Sequence, residues 1–169
     1  SKDSFILMDG TDISKKHAKY MEGLEFVKNG DTGEIGPGYN VLNINAINGH
    51  KETAPLYSKA YSYEVGALSS NNEIKKSVAQ VKQHIGDTGC WVFDRGADNG
   101  ILKDFFFSEC PQAIVRLKKN TKVFYKEEGH QVGQLVKKVK FPITQTVVKI
   151  KKDKPVLEHY QLGAIPISH

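Results

Sequence analysis

The sequence has few of the residues that build disulfide frameworks or zinc sites. Its 169 residues include only two cysteines, Cys90 and Cys110, which do not form a Cys-x-x-Cys pair. The six histidines are scattered without metal-ligand spacing, so the sequence gives no support for zinc. A free cysteine is usually a small buried residue, and we interpret Cys90 in this way, in a reducing intracellular compartment.

Long hydrophobic segments are also missing. No apolar run approaches the roughly 18 residues that a membrane span needs, and the first residues do not have the form of a signal peptide. We therefore predict a soluble, cytoplasmic protein with no membrane partner and about one domain long. The chain starts at Ser1 without an initiating methionine and reaches a core-like strand within a few residues. This start indicates a piece of a longer protein.

Positive charge is concentrated in one part of the chain. The net charge is +5, but the stretch from Arg116 to Lys154 holds 12 basic and 3 acidic residues, so the remainder is mildly acidic. A basic block of this kind is typical of a surface that binds a polyanion. A solvated lysine face with no binding role is the alternative.

Strand and helix signals alternate through the first 120 residues. A helix is predicted from a capping box, Ser70 to Glu73, to a stop at Gly86, and a second helix follows Asp98. The segment 11–30 is interpreted as a loop with a short helix. Strands are predicted at residues 4–9, 39–47, 54–65, 90–94 and 112–117.

This order predicts an α/β fold with three antiparallel strands followed by two parallel strands with helices between them. It is the element order of a ribonuclease-H-like domain, and that resemblance implies that the first strand lies beside the fourth. We assign residues 1–120 to this core. Residues 121–169 are interpreted as a β-rich, lysine-rich extension with one packed face and one basic face, because apolar and lysine residues alternate over 138–143 and 148–151. A turn is predicted at 152–155 and a further strand from Val156 to Leu162.

Two acids follow apolar strands in this scheme. Asp9 ends the run Phe5–Met8, and Asp94 ends the run Cys90–Phe93. Ligands gather at the carboxyl ends of strands in such sheets, and Mg²⁺ prefers carboxylate oxygens together with water and phosphate oxygens. We predict that Asp9 and Asp94 share divalent metal, Mg²⁺ or Mn²⁺, with two ions in a complete site.

Nearby charged residues have simpler interpretations. Asp12 is expected to start a turn, and Asp98 to cap the second helix. Arg95 is expected to hold a phosphate or to pair with an acid. Arg116, inside an apolar strand, is either a partnered core cation or a charge directed into the site.

The segment Met8 to Thr11 also resembles the start of haloacid-dehalogenase-type phosphatases. That family needs a nucleophilic aspartate two residues before Asp9. The residue at that position is Leu7, which excludes the assignment.

Three segments together resemble the catalytic domain of bacterial insertion-sequence transposases of the Asp-Asp-Glu (DDE) type. They are Leu7–Ile13, Val92–Asp98 and Ile114–Lys118, and the closest similarity is to the cut-and-paste group with a β-rich insertion. The resemblance implies metal-dependent cleavage of DNA at transposon ends and transfer of the strand to target DNA. It also implies a homodimer in the full-length complex and a bacterial, nucleoid-associated location.

Within this resemblance, Asp9 and Asp94 take the places of the first and second catalytic acids. Arg95 and Arg116 match basic positions near the DNA, and Lys118 and Lys119 extend this basic set. The family's third acid, a Glu four residues after an Arg that follows a Tyr by three, has no counterpart here. The sequence therefore predicts that the third acid lies outside this chain and that the fragment is inactive alone.

Three glutamates remain in the extension, and we do not expect any of them to serve as the third acid: Glu127, Glu128 and Glu158. Two rival functions stay open. One is another ribonuclease-H-like nuclease, such as a junction resolvase, and the other is a nucleic-acid-binding domain that does not cut.

Overall fold

The computed structural model describes residues 4–30, 32–67, 69–151 and 154–167. The chain divides into two compact units, Ser1–Arg116 and Leu117–His169. None of the helices in the described ranges has both the length and the apolar character that a membrane crossing requires.

The first unit combines one sheet with helices. Short 3-10 turns lie at Tyr63–Val65 and Arg95–Ala97. Its described strands and α-helices are, in chain order, β1 (Phe5–Ser14), β2 (Glu25–Lys28), β3 (Ile35–Ile47), β4 (Thr53–Tyr61), α1 (Ser70–Ile85), β5 (Cys90–Phe93), α2 (Gly100–Glu109) and β6 (Ala113–Val115).

The six strands form one mixed sheet. β1 is antiparallel to β3, and β3 is antiparallel to β2 through residues 35–38 and to β4 through residues 40–47. β1 also pairs with β5, in parallel, and β5 pairs in parallel with β6. The predicted α/β class with a mixed sheet, in which antiparallel strands precede two parallel ones, is therefore confirmed, but the described first unit has four antiparallel strands where three were predicted.

The core of this unit lies between the sheet and its two helices. Strands β1, β3 and β5 contribute alternate side chains, and α1 and α2 contribute their apolar stripes. The ring of Phe93 stacks on Phe106 of α2 with 3.6 Å between ring centroids. The buried cluster consists of Ile6, Met8, Leu42, Ile44, Val78, Val81, Trp91, Phe93, Ala97, Leu102, Phe106 and Cys110.

Helix α1 begins one residue earlier than the sequence indicates. Ser69 is the N-cap, and its side chain accepts a hydrogen bond from the Asn72 N–H at 3.2 Å. Glu73 is therefore one position too late to complete a capping box, and the predicted box was wrong. The stop at Gly86 is confirmed, because that residue adopts a left-handed φ of 64° after the last turn.

The segment 11–30 also differs from its prediction. β1 continues to Ser14, and β2 occupies Glu25–Lys28 where a loop with a short helix was expected. The reason is a hairpin: the Asn29 N–H donates to the Glu34 carbonyl at 2.8 Å, which returns the chain as β3 alongside β2.

The second unit is built from short hairpins. β7 (Lys122–Tyr125) pairs with β8 (Glu128–Gln131), the four-residue helix α3 spans Val132–Leu135, and β9 (Ile143–Lys151) pairs with β10 (Lys154–Leu162). The strand predicted from Val156 to Leu162 is therefore present within β10.

Two expectations for this unit fail. Alternation over Lys138–Ile143 does not produce a strand, since Val136–Lys138 forms a 3-10 turn and β9 begins only after Pro142, which has no N–H to donate. Val148 and Ile150 of β9 are exposed, so the expected packed face is open in this chain. The turn predicted at 152–155 lies partly outside the described residues.

Candidate functional site

The sequence predicts that Asp9 ends the first strand, but in the structure it lies in the middle of β1. The strand continues for five residues beyond it because β3 keeps offering backbone partners, from Asn43 opposite Asp9 to Gly38 opposite Ser14. The buried part of the strand does end here, since Ile6 and Met8 are in the core while Asp9 is exposed.

Asp94 follows β5 directly and starts a 3-10 turn. Its Oδ1 accepts a hydrogen bond from the Gly96 N–H at 2.7 Å. This bond fixes the direction of the carboxylate and leaves the second oxygen, Oδ2, available. The side chain is exposed, so the available oxygen can reach solvent or a ligand.

The strand register brings the two acids together. Parallel pairing runs from Phe5 opposite Cys90 to Met8 opposite Phe93, and one further step along both strands reaches Asp9 and Asp94. Neighbouring strands lie about 4.8 Å apart. Because Met8 and Phe93 both point into the core, alternation places both carboxylates on the opposite face of the sheet. The first and fourth strands of the sequence prediction correspond to β1 and β5, and the prediction that they are adjacent is confirmed.

The same row of the sheet carries three more polar residues. Asn43 of β3 lies opposite Asp9, and Ser58 of β4 lies opposite Asn43. On the other side the Arg116 N–H donates to the Phe93 carbonyl at 3.0 Å, which sets Arg116 beside Asp94. The row therefore crosses the sheet in the order Ser58, Asn43, Asp9, Asp94, Arg116.

Arg116 is exposed, so its interpretation as a partnered core cation was wrong. Its neighbour Val115 packs against the core, and alternation places Arg116 on the face of the two acids. Sequence reasoning missed Asn43 and Ser58. The available signal was the polar–apolar alternation of Asn43, Ile44 and Asn45, which places both asparagines on one face of a strand.

Neither α1 nor α2 covers the sheet face that carries this polar row. Helices α1 and α2 pack on the other face, and apolar side chains of the open face remain exposed: Phe5 by 47% and Ile114 by 52%. Leu7 and Val92 are half-buried between them. Cys90 is also half-buried on this face, so its assignment to the core was wrong.

The remaining predicted basic residues are exposed. Arg95 begins the 3-10 turn that Asp94 caps, so it belongs to the same unit as the two acids. Lys118 and Lys119 belong to the second unit, where the Lys119 carbonyl accepts from the Gly133 N–H at 2.8 Å.

Two other acids of the first unit have structural roles that differ from their predictions. Asp12 does not start a turn but lies within β1, opposite Asn40. Asp98 does not cap α2: that role belongs to Asn99, whose side chain accepts from the Leu102 N–H at 3.0 Å. Asp98 is buried and pairs with Lys103 at 3.1 Å, which removes it from any open metal site.

Glu158 of the second unit is held by three neighbours. Hydrogen bonds from Lys151, Tyr160 and Lys149 lower the pKa of its carboxyl to about 2. The Lys151 and Lys149 ammonium groups lie 2.5 and 2.9 Å from its oxygens. The carboxylate is therefore engaged in contacts within its own hairpin.

Of the other two glutamates of the extension, Glu127 lies in the turn between β7 and β8, and Glu128 is the first residue of β8. Glu127 adopts a positive φ of 66°, and Glu128 lies 3.5 Å from His130. Across the described ranges, no three His, Cys, Asp or Glu side chains form a cluster able to hold a metal ion. The candidate site consists of the pair Asp9 and Asp94 with its polar row.

Comparison with known proteins adds no relative to this description. No protein-family model matches the chain, and no curated protein matches it significantly.

Proposed function

We propose that this chain is the catalytic core of a DDE-type DNA transposase with a ribonuclease-H-like fold. The observation that carries the proposal is the adjacency of Asp9 and Asp94 on one open face of the sheet, where β1 and β5 stop pairing. In the complete protein, the activity would be cleavage of DNA phosphodiesters at transposon ends and transfer of the freed strand to target DNA.

The sheet order supports the fold part of the proposal. Strand β3 lies between β4 and β1 and is antiparallel to both, and β5 and β6 follow in parallel on the other side of β1. This is the arrangement expected from the element order of a ribonuclease-H-like domain, with the two acids on the two central strands. Fold alone does not imply function, so the proposal depends on the site.

The donor set fits Mg²⁺ or Mn²⁺. Asp9 and Asp94 are exposed carboxylates on adjacent strands, and hard divalent cations prefer a few such oxygens together with water and phosphate. Two bound ions would supply activation of the attacking oxygen and stabilisation of the leaving oxygen. The Gly96 N–H holds one oxygen of Asp94 in place, and Arg116, in the same row, would attract a phosphate of the DNA backbone.

We propose that the third catalytic acid lies outside this chain. Glu128 and Glu158 make contacts within their own hairpins, which supports this assignment. The fragment alone would then be inactive.

The second unit would bind the DNA backbone. Lys118, Lys119 and the lysines that follow give it a strongly positive composition, and lysine contacts to phosphates are insensitive to base sequence and strongly dependent on salt. A homodimer, each copy acting on one transposon end, and a nucleoid-associated location in the cytoplasm belong to the same proposal.

Manganese binding tests the proposal on the chain itself. Free Mn²⁺ measured by electron paramagnetic resonance should fall when wild-type protein is added, and Asp9→Asn or Asp94→Asn should abolish this change. Asp104→Asn is the matched control, because it removes an exposed aspartate of the same unit that lies on α2. Equal binding by the wild type and by the Asp9 and Asp94 variants would refute the site.

A further inference from the structure

Asn43 is placed to act on Asp9. The two residues are directly opposed in the antiparallel pair of β1 and β3. Opposed side chains in such a pair have Cβ atoms about 4.5–5.5 Å apart, within which a carboxamide can reach a carboxylate. Alternation along β3 puts Asn43 on the face opposite to the core residues Leu42 and Ile44, which is the face of the acids.

The Asn43 carboxamide is also oriented by its other neighbour. The Ser58 hydroxyl donates to Asn43 Oδ1 at 2.7 Å. Ser58 belongs to β4, which pairs with the edge of β3 away from β1. The Asn43 side chain makes no other hydrogen bond among the described residues, so its two N–H donors are available to the Asp9 carboxylate on the neighbouring β1.

We propose that Asn43 is a positioning residue of the candidate metal site. In the metal-bound state its amide would donate to one oxygen of the Asp9 carboxylate, so that the other oxygen is presented to the cation. The Gly96 N–H does the same for Asp94. This inference rests on the proposed function and adds to it two residues, Asn43 and Ser58, that no acid-based motif contains.

The competing interpretation is a structural one. A cross-strand hydrogen bond between Asn43 and Ser58 contributes to the pairing of β3 with β4 whether or not a metal binds nearby. The two interpretations differ in what they predict for metal affinity at unchanged fold. Residues that orient a metal ligand typically change metal affinity 10- to 100-fold when removed.

The test follows Mn²⁺ into the full chain by paramagnetic broadening of backbone amide NMR signals. In wild type, broadening should centre on Asp9 and Asp94. Asn43→Ala should raise the Mn²⁺ concentration needed for half-broadening about 10- to 100-fold. Asn45→Ala is the matched control, since Asn45 is equally half-buried on the same face two residues along, opposite Leu7.

Two further variants separate positioning from folding. Ser58→Ala frees the carboxamide to rotate and should weaken binding in the same direction while leaving the amide spectrum otherwise intact. Asn43→Asp puts a third carboxylate at the row and should tighten binding, whereas Asn45→Asp, with the same added charge, should change it less.

The outcomes distinguish this inference from the proposed function. Broadening at Asp9 and Asp94 that is unchanged in Asn43→Ala and Ser58→Ala overturns the positioning role and leaves the metal site standing. Wild-type protein that shows no localised broadening overturns both.

Discussion

The Gly96 N–H donates to Asp94 Oδ1 at 2.7 Å, and a Cβ added at Gly96 would lie 2.9 Å from that same oxygen. The close approach means that a side chain at residue 96 would push the Asp94 carboxylate out of this position. A substitution at Gly96 can therefore displace the Asp94 carboxylate while Asp94 itself is kept.

We expect Gly96→Ala to weaken Mn²⁺ binding while the protein stays folded. The methyl group must push the Asp94 carboxylate aside, and the oxygen that moves is the end of a flexible side chain, so the fold can adjust. Gly10→Ala is the control, because a Cβ beside Asp9 meets nothing within 4 Å. Equal Mn²⁺ affinity in the two variants, measured by electron paramagnetic resonance, would show that the Asp94 carboxylate does not bind the metal.

The aromatic stack behind Asp94 should dominate the stability of the first unit. Phe106 is fully buried and stacks on Phe93, the residue that precedes Asp94. Phe106→Ala removes this contact and leaves a cavity, for which we expect a loss of about 3–5 kcal/mol in the free energy of unfolding. Urea denaturation followed by Trp91 fluorescence measures the loss.

Phe107→Ala serves as the control for this stability measurement, since Phe107 is the neighbouring, exposed phenylalanine of α2. We expect it to change the free energy of unfolding by much less. A similar loss in both variants would mean that the stack is not the main support of the strand that carries Asp94.

Acid should destabilise the first unit through Glu73. Hydrogen bonds from Lys59 and Lys76 lower the pKa of this nearly buried carboxyl below its ordinary 4.5. A lowered native pKa stabilises the fold above pH 4.5, and this contribution is lost as the pH falls from 4.5 through the native pKa. We expect Glu73→Gln to be less stable than wild type at pH 7 and to lose less stability on acidification.

Urea midpoints measured between pH 7 and pH 3 test this expectation. Asp104→Asn, an exposed carboxyl on α2, is the control and should follow the wild-type curve. Parallel curves for wild type and Glu73→Gln would show that Glu73 does not contribute to the pH dependence.

DNA binding by the whole chain should depend on Lys118 and Lys119. Each phosphate contact contributes a slope of about −0.9 to the plot of log affinity against log salt. Replacing both lysines by Gln should therefore make the slope less steep by about 1.8 if each contacts one phosphate. Lys15→Gln with Lys19→Gln is the control of equal charge, from exposed positions outside the second unit. Equal slopes for the two double variants would indicate only a general charge effect.

The sequence could predict the parts of the fold that depend on local patterns and on the order of elements. Apolar strands such as Cys90–Phe93 and the apolar stripe of α1 could be identified because burial of one face makes apolar residues recur at regular intervals. The adjacency of Asp9 and Asp94 was implied by the resemblance of this element order to that of a ribonuclease-H-like domain. It was then confirmed by the pairing of β1 with β5.

What the sequence could not predict depends on contacts with distant segments. The polar end of β1 forms a strand because the long β3 supplies its backbone partners, and no local pattern of residues 10–14 indicates this. The position of Asn43 in the polar row depends on how β3 pairs with both β1 and β4. Ser69 is preferred to Ser70 as the cap of α1, while Glu73 turns to Lys59 of β4.

The most direct test is a crystal of this chain soaked in Mn²⁺ and measured at an anomalous wavelength. We expect an anomalous peak bound by the carboxylates of both Asp9 and Asp94, with oxygen–metal distances of about 2.0–2.3 Å. Carboxylates turned away from each other, or a peak only at other residues, would contradict the proposal that these two adjacent strands form a metal site.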